Sequence, residues 1–415
     1  MKINAVKFYT SIFIIVIFSQ LYLPSFRTNV IIQFMAIGIF FFLEKESLSV
    51  FVVKNIKPLL VLFFLGFAGT LVNKYPVVNI VKDITHFIKP ILGILIGYYF
   101  YKKINNFRTF VSTIVLIGFL SALVHFVILI FFSKTDNLSD IREFGKDNFL
   151  ELFSLFFLGF YKKFQNESLF QNPSKYYLYF VVILLSSILY FSRTMMVTAI
   201  ILLLSIYGYT IITVKGLRNI GICLGLFIAF YAYLFSVKLD RNSKGAEAFF
   251  YKMQNAPGEL FDTKIDRDNH AELWDHWRGY EAKRAMALMV DNPSSFIFGN
   301  GHGSLVNLRF FAPLTGPHDK GMKYISELHN GYAYLLYKTG IIGLIIYIGF
   351  LIRIYRNIYK SRNFVYTVLS AIGLIFLFTT ITITGLYNPK DIMVFIVGAM
   401  LSFSNTDTFK QQQLS

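Results

Sequence analysis

The stretch Ser326-Glu-Leu-His-Asn-Gly-Tyr-Ala-Tyr-Leu-Leu-Tyr-Lys-Thr-Gly-Ile-Ile-Gly-Leu344 decides the reading of this chain. It sets His329 and Asn330 at the mouth of an apolar segment, directly after the longest polar stretch of the sequence. Read as a helix from Asn330 to about residue 352, the segment is long enough to cross the ~30 Å hydrocarbon core of a bilayer. Gly340 and Gly343, three apart, would let its backbone approach a neighbouring helix closely. A histidine at a helix start on a membrane surface reaches both water and a lipid headgroup, and imidazoles titrate near neutral pH. The plainer reading is an interfacial side chain at a loop end.

Outward from this stretch the whole chain has the same character. Of 415 residues, 55% are hydrophobic and 15% charged, against about 25% charged in a soluble domain. Mean hydropathy is +0.56. Twelve apolar stretches read as spans: about 8–24, 29–43, 57–73, 78–100, 109–132, 148–161, 176–191, 194–213, 219–237, 330–352, 364–385 and 389–404. The first follows Lys2 and Lys7 and lacks a small-residue cleavage site, so it reads as an uncleaved span. The single cysteine, Cys223, excludes an internal disulfide and a cysteine-based metal site.

The net charge of +17 does not point to nucleic acid, because the basic residues collect in alternate short loops. Lys45, Lys54, Lys102, Lys103, Lys162, Lys163, Arg353, Arg356 and Lys360 belong to the richer set. That side is expected to be cytoplasmic, with both termini. The expected fold is therefore an all-α polytopic membrane protein of about 12 transmembrane helices. Residues 1–237 carry nine spans and 238–329 an external loop, periplasmic if the membrane is a bacterial inner one, with an amphipathic helix at about 270–290. Residues 330–404 carry three more spans, and 405–415 form a cytoplasmic tail.

Several polar residues stand out against this background. Asp83, His86 and Lys89 share one helix face at spacings of three, and that face should turn into the bundle. Alternatively the helix begins near His86 and leaves Asp83 among the headgroups. Glu151 lies in the short sixth stretch. Arg193 lies in Ser192-Arg-Thr194, in a tight turn near the outer surface, where it can meet an anionic headgroup or a diphosphate.

In the external segment, Asn269 and Glu272 would cap a helix that Asp291-Asn-Pro293 ends. Arg278 falls on its buried face and needs an anionic partner, for which Glu281 is available. Arg284 sits at the edge of that face and reads as solvated. Gly299-Asn-Gly-His-Gly303 makes a turn with accessible amides, but lacks the ending of a nucleotide loop. Residues 312–323 are loop-like and could cover a site as a lid. Asp266-Arg-Asp268 has the form of a metal-binding pair, and His270, His276, His302, His318 and His329 lie in the same segment. No histidine spacing supports a metal there.

The order of Arg193 between two spans, Arg278 on an external helix ending in Asp-Asn-Pro, the Gly-rich turn, then His329-Asn330 and Gly340/Gly343 resembles the bacterial O-antigen polymerase and O-antigen ligase superfamily. The resemblance implies a GT-C-like enzyme of the bacterial inner membrane. Such enzymes move a glycan from undecaprenyl diphosphate to a sugar hydroxyl on the periplasmic face. By this resemblance His329 is the catalytic residue, and Arg193, Arg278 and, less directly, Arg284 hold the diphosphate. Asn330, His302, Asp83 and His86 are possible supporting residues. Leu336, Tyr337 and Lys338 stand where the family often has an acidic residue, so no carboxylate role is carried over there.

The implied partners are an undecaprenyl-diphosphate-linked oligosaccharide, membrane lipids, and the chain-length regulator and flippase of the same pathway. No cofactor and no metal are expected. Polymerisation of surface-polysaccharide repeat units is the favoured reading, because the chain departs from the ligase pattern. Ligation to lipid A core is the alternative. A lipid-linked glycan flippase is the reading from a different class, and a non-catalytic assembly protein would leave Arg193 and His329 without a task.

Overall fold

Val77–Ile104 is the longest described helix, and every residue from Lys89 to Tyr101 along it is buried. A helix that is apolar on all sides belongs inside a bundle, and this one is the axis on which the others pack. The computed structural model describes residues 5–23, 25–132, 148–190, 192–239, 246–261, 273–274, 276–314 and 321–406.

In chain order the helices are α1 (Ala5–Tyr22), α2 (Phe26–Gly38, continued by a π turn Ile39–Leu43), α3 (Val50–Val72), α4 (Val77–Ile104), α5 (Phe107–Phe132), α6 (Phe149–Gln165), α7 (Pro173–Leu189) and α8 (Arg193–Ile206). They are followed by α9 (Val214–Ser236), α10 (Ala246–Phe261), α11 (Trp277–Asp291) and the short α12 (Ser295–Phe298). Two strands, β1 (Val306–Ala312) and β2 (Met322–Ile325), precede α13 (Gly331–Tyr355), α14 (Phe364–Ile383) and α15 (Met393–Ser404).

Each of the twelve predicted apolar stretches coincides with a helix. Seven helical segments, Ala5–Tyr22, Phe26–Leu43, Val50–Val72, Phe107–Phe131, Gly216–Ser236, Gly331–Tyr359 and Phe364–Ile383, are long and apolar enough to cross a membrane. The architecture fits an all-α polytopic membrane protein. Helix ends follow local chemistry. Asn172 caps α7 ahead of Pro173, and Ser192 accepts from the Met195 amide at 3.2 Å to start α8. Asn330 caps α13, accepting from the amides of Tyr332 (3.1 Å) and Ala333 (3.2 Å).

α4 and α15 cross closely. A Cβ on Gly97 would fall 2.0 Å from the Phe395 carbonyl oxygen, and one on Gly398 2.0 Å from that of Ile94. Small residues at a crossing let two backbones pack without side chains between them.

Three expectations need correction. The external segment contains an antiparallel hairpin: β1 pairs with β2 through Val306 and Ile325, Asn307 and Tyr324, and Ala312 and Met322. The pairing slips between Asn307 and Ala312, and Arg309 there has a positive φ of 63°. Such an irregularity breaks the alternation that marks a strand. Secondly, the external helix begins at Trp277 behind His276; the Asn269 and Glu272 cap lies outside the described residues. Residues 315–320 of the anticipated lid also lie outside them.

The third concerns the glycine-rich turn, whose amides are not free. Asn300 and Gly301 donate to the carbonyls of Tyr337 (2.8 Å) and Lys338 (3.0 Å), and His302 donates to Gly66 (2.8 Å). The Gly303 amide donates to Asp83 Oδ2 at 2.6 Å. The reason lies in α13, which is broken at Gly340 (φ 68°, ψ −173°). The break strips the Tyr337 and Lys338 carbonyls of their helical partners, and the turn supplies the missing donors.

Candidate functional site

His329 immediately precedes the Asn330 cap of α13, with its imidazole half exposed (54%). Its Nδ1 lies 3.0 and 3.2 Å from the two carboxylate oxygens of Glu281, and its backbone amide donates to Oε2 of the same carboxylate at 2.9 Å. Glu281 is 1% exposed. A buried carboxylate facing Nδ1 holds the proton on that nitrogen and leaves the Nε2 lone pair available as a base. Glu281, the partner the sequence makes available to Arg278, lies against His329 instead.

Arg278 stands one helical turn before Glu281 on α11. Its Nε donates to the Thr382 carbonyl at 3.1 Å, while the Thr384 amide donates to the His329 carbonyl at 3.1 Å. The C-terminal end of α14 therefore ties Arg278 and His329 to positions two residues apart. The anionic partner of Arg278 is Glu259 on α10, with Nη1 2.7 Å from Oε2.

Arg193, the first residue of α8, reaches the same carboxylate. Its Nη2 lies 2.8 and 3.1 Å from the two Glu259 oxygens, and Nη1 donates to the Lys252 carbonyl. Two guanidiniums from distant parts of the chain thus close on one largely buried carboxylate. Arginine suits such a site because its planar donors match a pair of anionic oxygens and stay charged. Glu259 had no signal in the sequence: it is one acidic residue in a segment without a motif.

The remaining candidates divide differently. Arg284 is buried (9% exposed) rather than solvated, and its Nε donates to the Asn307 carbonyl of β1 at 3.0 Å. It holds the hairpin to α11 and stands outside the arginine pair. His302 is wholly buried against Phe63, Phe67 and Phe87, with Nε2 2.9 Å from the Phe63 carbonyl. Its contacts are with these rings and the Phe63 carbonyl.

Asp83, His86 and Lys89 face the bundle interior as their spacing anticipated, and the helix starts at Val77, not near His86. Asp83 pairs with Lys338, whose ammonium also donates to the Ser304 carbonyl at 2.6 Å. Lys89 donates to the carbonyls of Asn388 (3.3 Å) and Pro389. These two are structural. His86 is nearer the mouth: its Nε2 lies 3.1 Å from Glu327, which also takes Lys82 at 3.4 Å.

Among the described residues no group of three or more His, Cys, Asp or Glu is placed to hold a metal ion. Asp266, Asp268, His270 and His318 lie outside them.

No known family and no curated protein matches this chain. Chemically, the geometry offers a general base with an oriented imidazole beside a two-arginine anion clamp. Those parts can serve displacement of an anionic leaving group by a hydroxyl.

Proposed function

We propose that this chain is a membrane glycosyltransferase of the O-antigen polymerase and ligase kind. It would move a glycan from undecaprenyl diphosphate to a sugar hydroxyl. In this reading all twelve apolar helices span the bacterial inner membrane in a GT-C-like arrangement. The termini and the basic-rich loops are cytoplasmic, and His329 opens to the periplasm.

The observation that carries the reading is the convergence of Arg193 and Arg278 on the Glu259 carboxylate, beside the His329–Glu281 pair. In the working enzyme the donor diphosphate takes the place of that carboxylate. The acceptor hydroxyl attacks the anomeric carbon, the bond from that carbon to the diphosphate oxygen breaks, and the clamp stabilises the charge growing on the leaving group. Nε2 of His329 takes the hydroxyl proton, and Glu281 steadies the imidazolium that forms. Direct attack inverts the anomeric centre.

The acceptor separates the two members of the class: another lipid-linked repeat unit for a polymerase, a lipid A core sugar for a ligase. Polymerase is the favoured assignment, working with a flippase and a chain-length regulator. The test is a gel of surface glycan from a deletion strain, complemented with wild type or with His329→Ala produced at the same level. Core carrying single repeat units, with no ladder restored by His329→Ala, is the polymerase result. Bare core with polymer accumulating on undecaprenyl diphosphate is the ligase result. A full ladder from His329→Ala overturns the catalytic assignment and favours a transporter.

A further inference from the structure

At the end of α13 opposite His329, a cavity of about 810 Å³ opens among α3, α4, α13, α14 and α15. Sites for small molecules typically span ~300–1,000 Å³. The inner wall is apolar: Ile94, Leu369 and Val397 line it, each 1% exposed. Gly349, itself exposed, also lines the cavity at its open side, and a Cβ built there would meet nothing within 4 Å.

The rim has a different character. Arg353, Arg356 and Lys360 line it, and no carboxylate does. Arg353 donates only to neutral oxygens, the Lys54 carbonyl at 3.2 Å and Asn55 Oδ1 at 3.5 Å, and Lys360 donates to Asn357 Oδ1 at 2.8 Å. Three other cations of the basic-rich set do have carboxylate partners: Lys102 has Glu46, Lys103 has Glu44 and Arg108 has Glu167. Among the described residues no carboxylate pairs with Arg353, Arg356 or Lys360. Burial, and then the Arg353 charge beside it, pull the Lys360 ammonium below its ordinary pKa. Positive charge without a carboxylate partner among the described residues therefore rims an apolar space at one end of a helix long and apolar enough to cross a membrane.

We propose that this cavity binds an anionic phospholipid of the adjoining leaflet, with one acyl chain along Gly349 and the phosphate across Arg353, Arg356 and Lys360. A soluble anion would leave the apolar wall uncovered. A zwitterionic lipid would leave the net positive charge uncompensated. Basic pockets between helices on the cytoplasmic side of membranes bind acidic headgroups for the same two reasons, and guanidinium pairs well with phosphate. The proposal is independent of the role given to His329.

The test uses the full-length protein in non-ionic detergent, with dioleoyl phosphatidylglycerol, dioleoyl phosphatidylcholine or inorganic phosphate added. Bound lipid is counted by native mass spectrometry, and the unfolding temperature is recorded. Phosphatidylglycerol should be retained and should raise the unfolding temperature. Each basic residue removed, as in the double variant Arg353→Gln/Lys360→Gln, should weaken retention about fivefold. Gly349→Leu keeps the charges, fills the open space, and should expel the lipid; it carries the test if the charge variant does not fold. Equal retention of phosphatidylcholine, equal stabilisation by inorganic phosphate, or undiminished phosphatidylglycerol binding in Gly349→Leu would each overturn the proposal.

Discussion

Glu281 holds His329 by two atoms at once: its carboxylate accepts the backbone amide at 2.9 Å and faces Nδ1 at 3.0 Å. One carboxylate therefore sets both where the chain enters α13 and which way the ring points. Under the proposed glycosyl transfer, Glu281→Gln should lower turnover by about 10²-fold with little change in donor KM, and His329→Ala by at least as much. Turnover of Glu281→Gln equal to wild type would remove Glu281 from the mechanism.

Glu259 occupies the arginine pair that the donor diphosphate is proposed to enter. Glu259→Gln should therefore strengthen pyrophosphate binding about tenfold or more, since the competing charge is gone. Arg193→Ala and Arg278→Ala should each cost about 10²–10³-fold in turnover, and Arg193→Lys should not restore it. Weaker pyrophosphate binding by Glu259→Gln would show that α10 builds the site rather than blocking it.

Arg284 separates a structural arginine from the clamp. Losing its bond to the half-buried Asn307 carbonyl should cost about 1 kcal/mol. Arg284→Ala should melt earlier yet bind pyrophosphate as wild type does. A selective loss of binding would bring Arg284 back into the clamp.

Lys338 and Asp83 form a wholly buried ion pair (0% and 1% exposed). Lys338→Met should destabilise by about 3–5 kcal/mol, because it strands a buried carboxylate. Adding Asp83→Asn should recover part of the loss. A double mutant cycle by chemical denaturation reads the coupling, and strictly additive costs would argue against the pair.

Glu327 gives a pH-dependent term. Burial alone would raise its carboxyl, but the hydrogen bond and charge of His86, and then Lys82, outweigh this and hold it at about 2 against an ordinary 4.5. A depressed carboxyl stabilises fully above its unfolded value and loses that contribution as pH falls. Between pH 4.5 and 2, wild type should lose more melting temperature than Glu327→Gln. Parallel curves would mean that the contact contributes no stability.

The helices were legible because apolar runs, asparagine caps and the short turn at Arg193 are local signals. The inward face of α4 was legible for the same reason: Asp83, His86 and Lys89 are three apart. What escaped depends on distant partners. Glu259 meets arginines from α8 and α11, and nothing near it in sequence announces either. Helix spacing put Glu281 next to Arg278, yet its carboxylate turns to His329, where a ring nitrogen and a backbone amide converge. The amides of residues 300–303 looked free because their acceptors lie in other elements: two carbonyls released by the break at Gly340, the Gly66 carbonyl and the Asp83 carboxylate.

That break also has a mechanical side. An unbroken 25-residue helix would be a rod of about 37 Å, and a push at Arg353 would arrive at His329. With Gly340 out of helical geometry, the two arms of α13 are separate levers, and the Ile297–Phe298 backbone is wedged against the joint. A displacement of the Arg353 arm would therefore meet this joint before it reached the imidazole. The position of His329 is left to its neighbours, Glu281 and the end of α14.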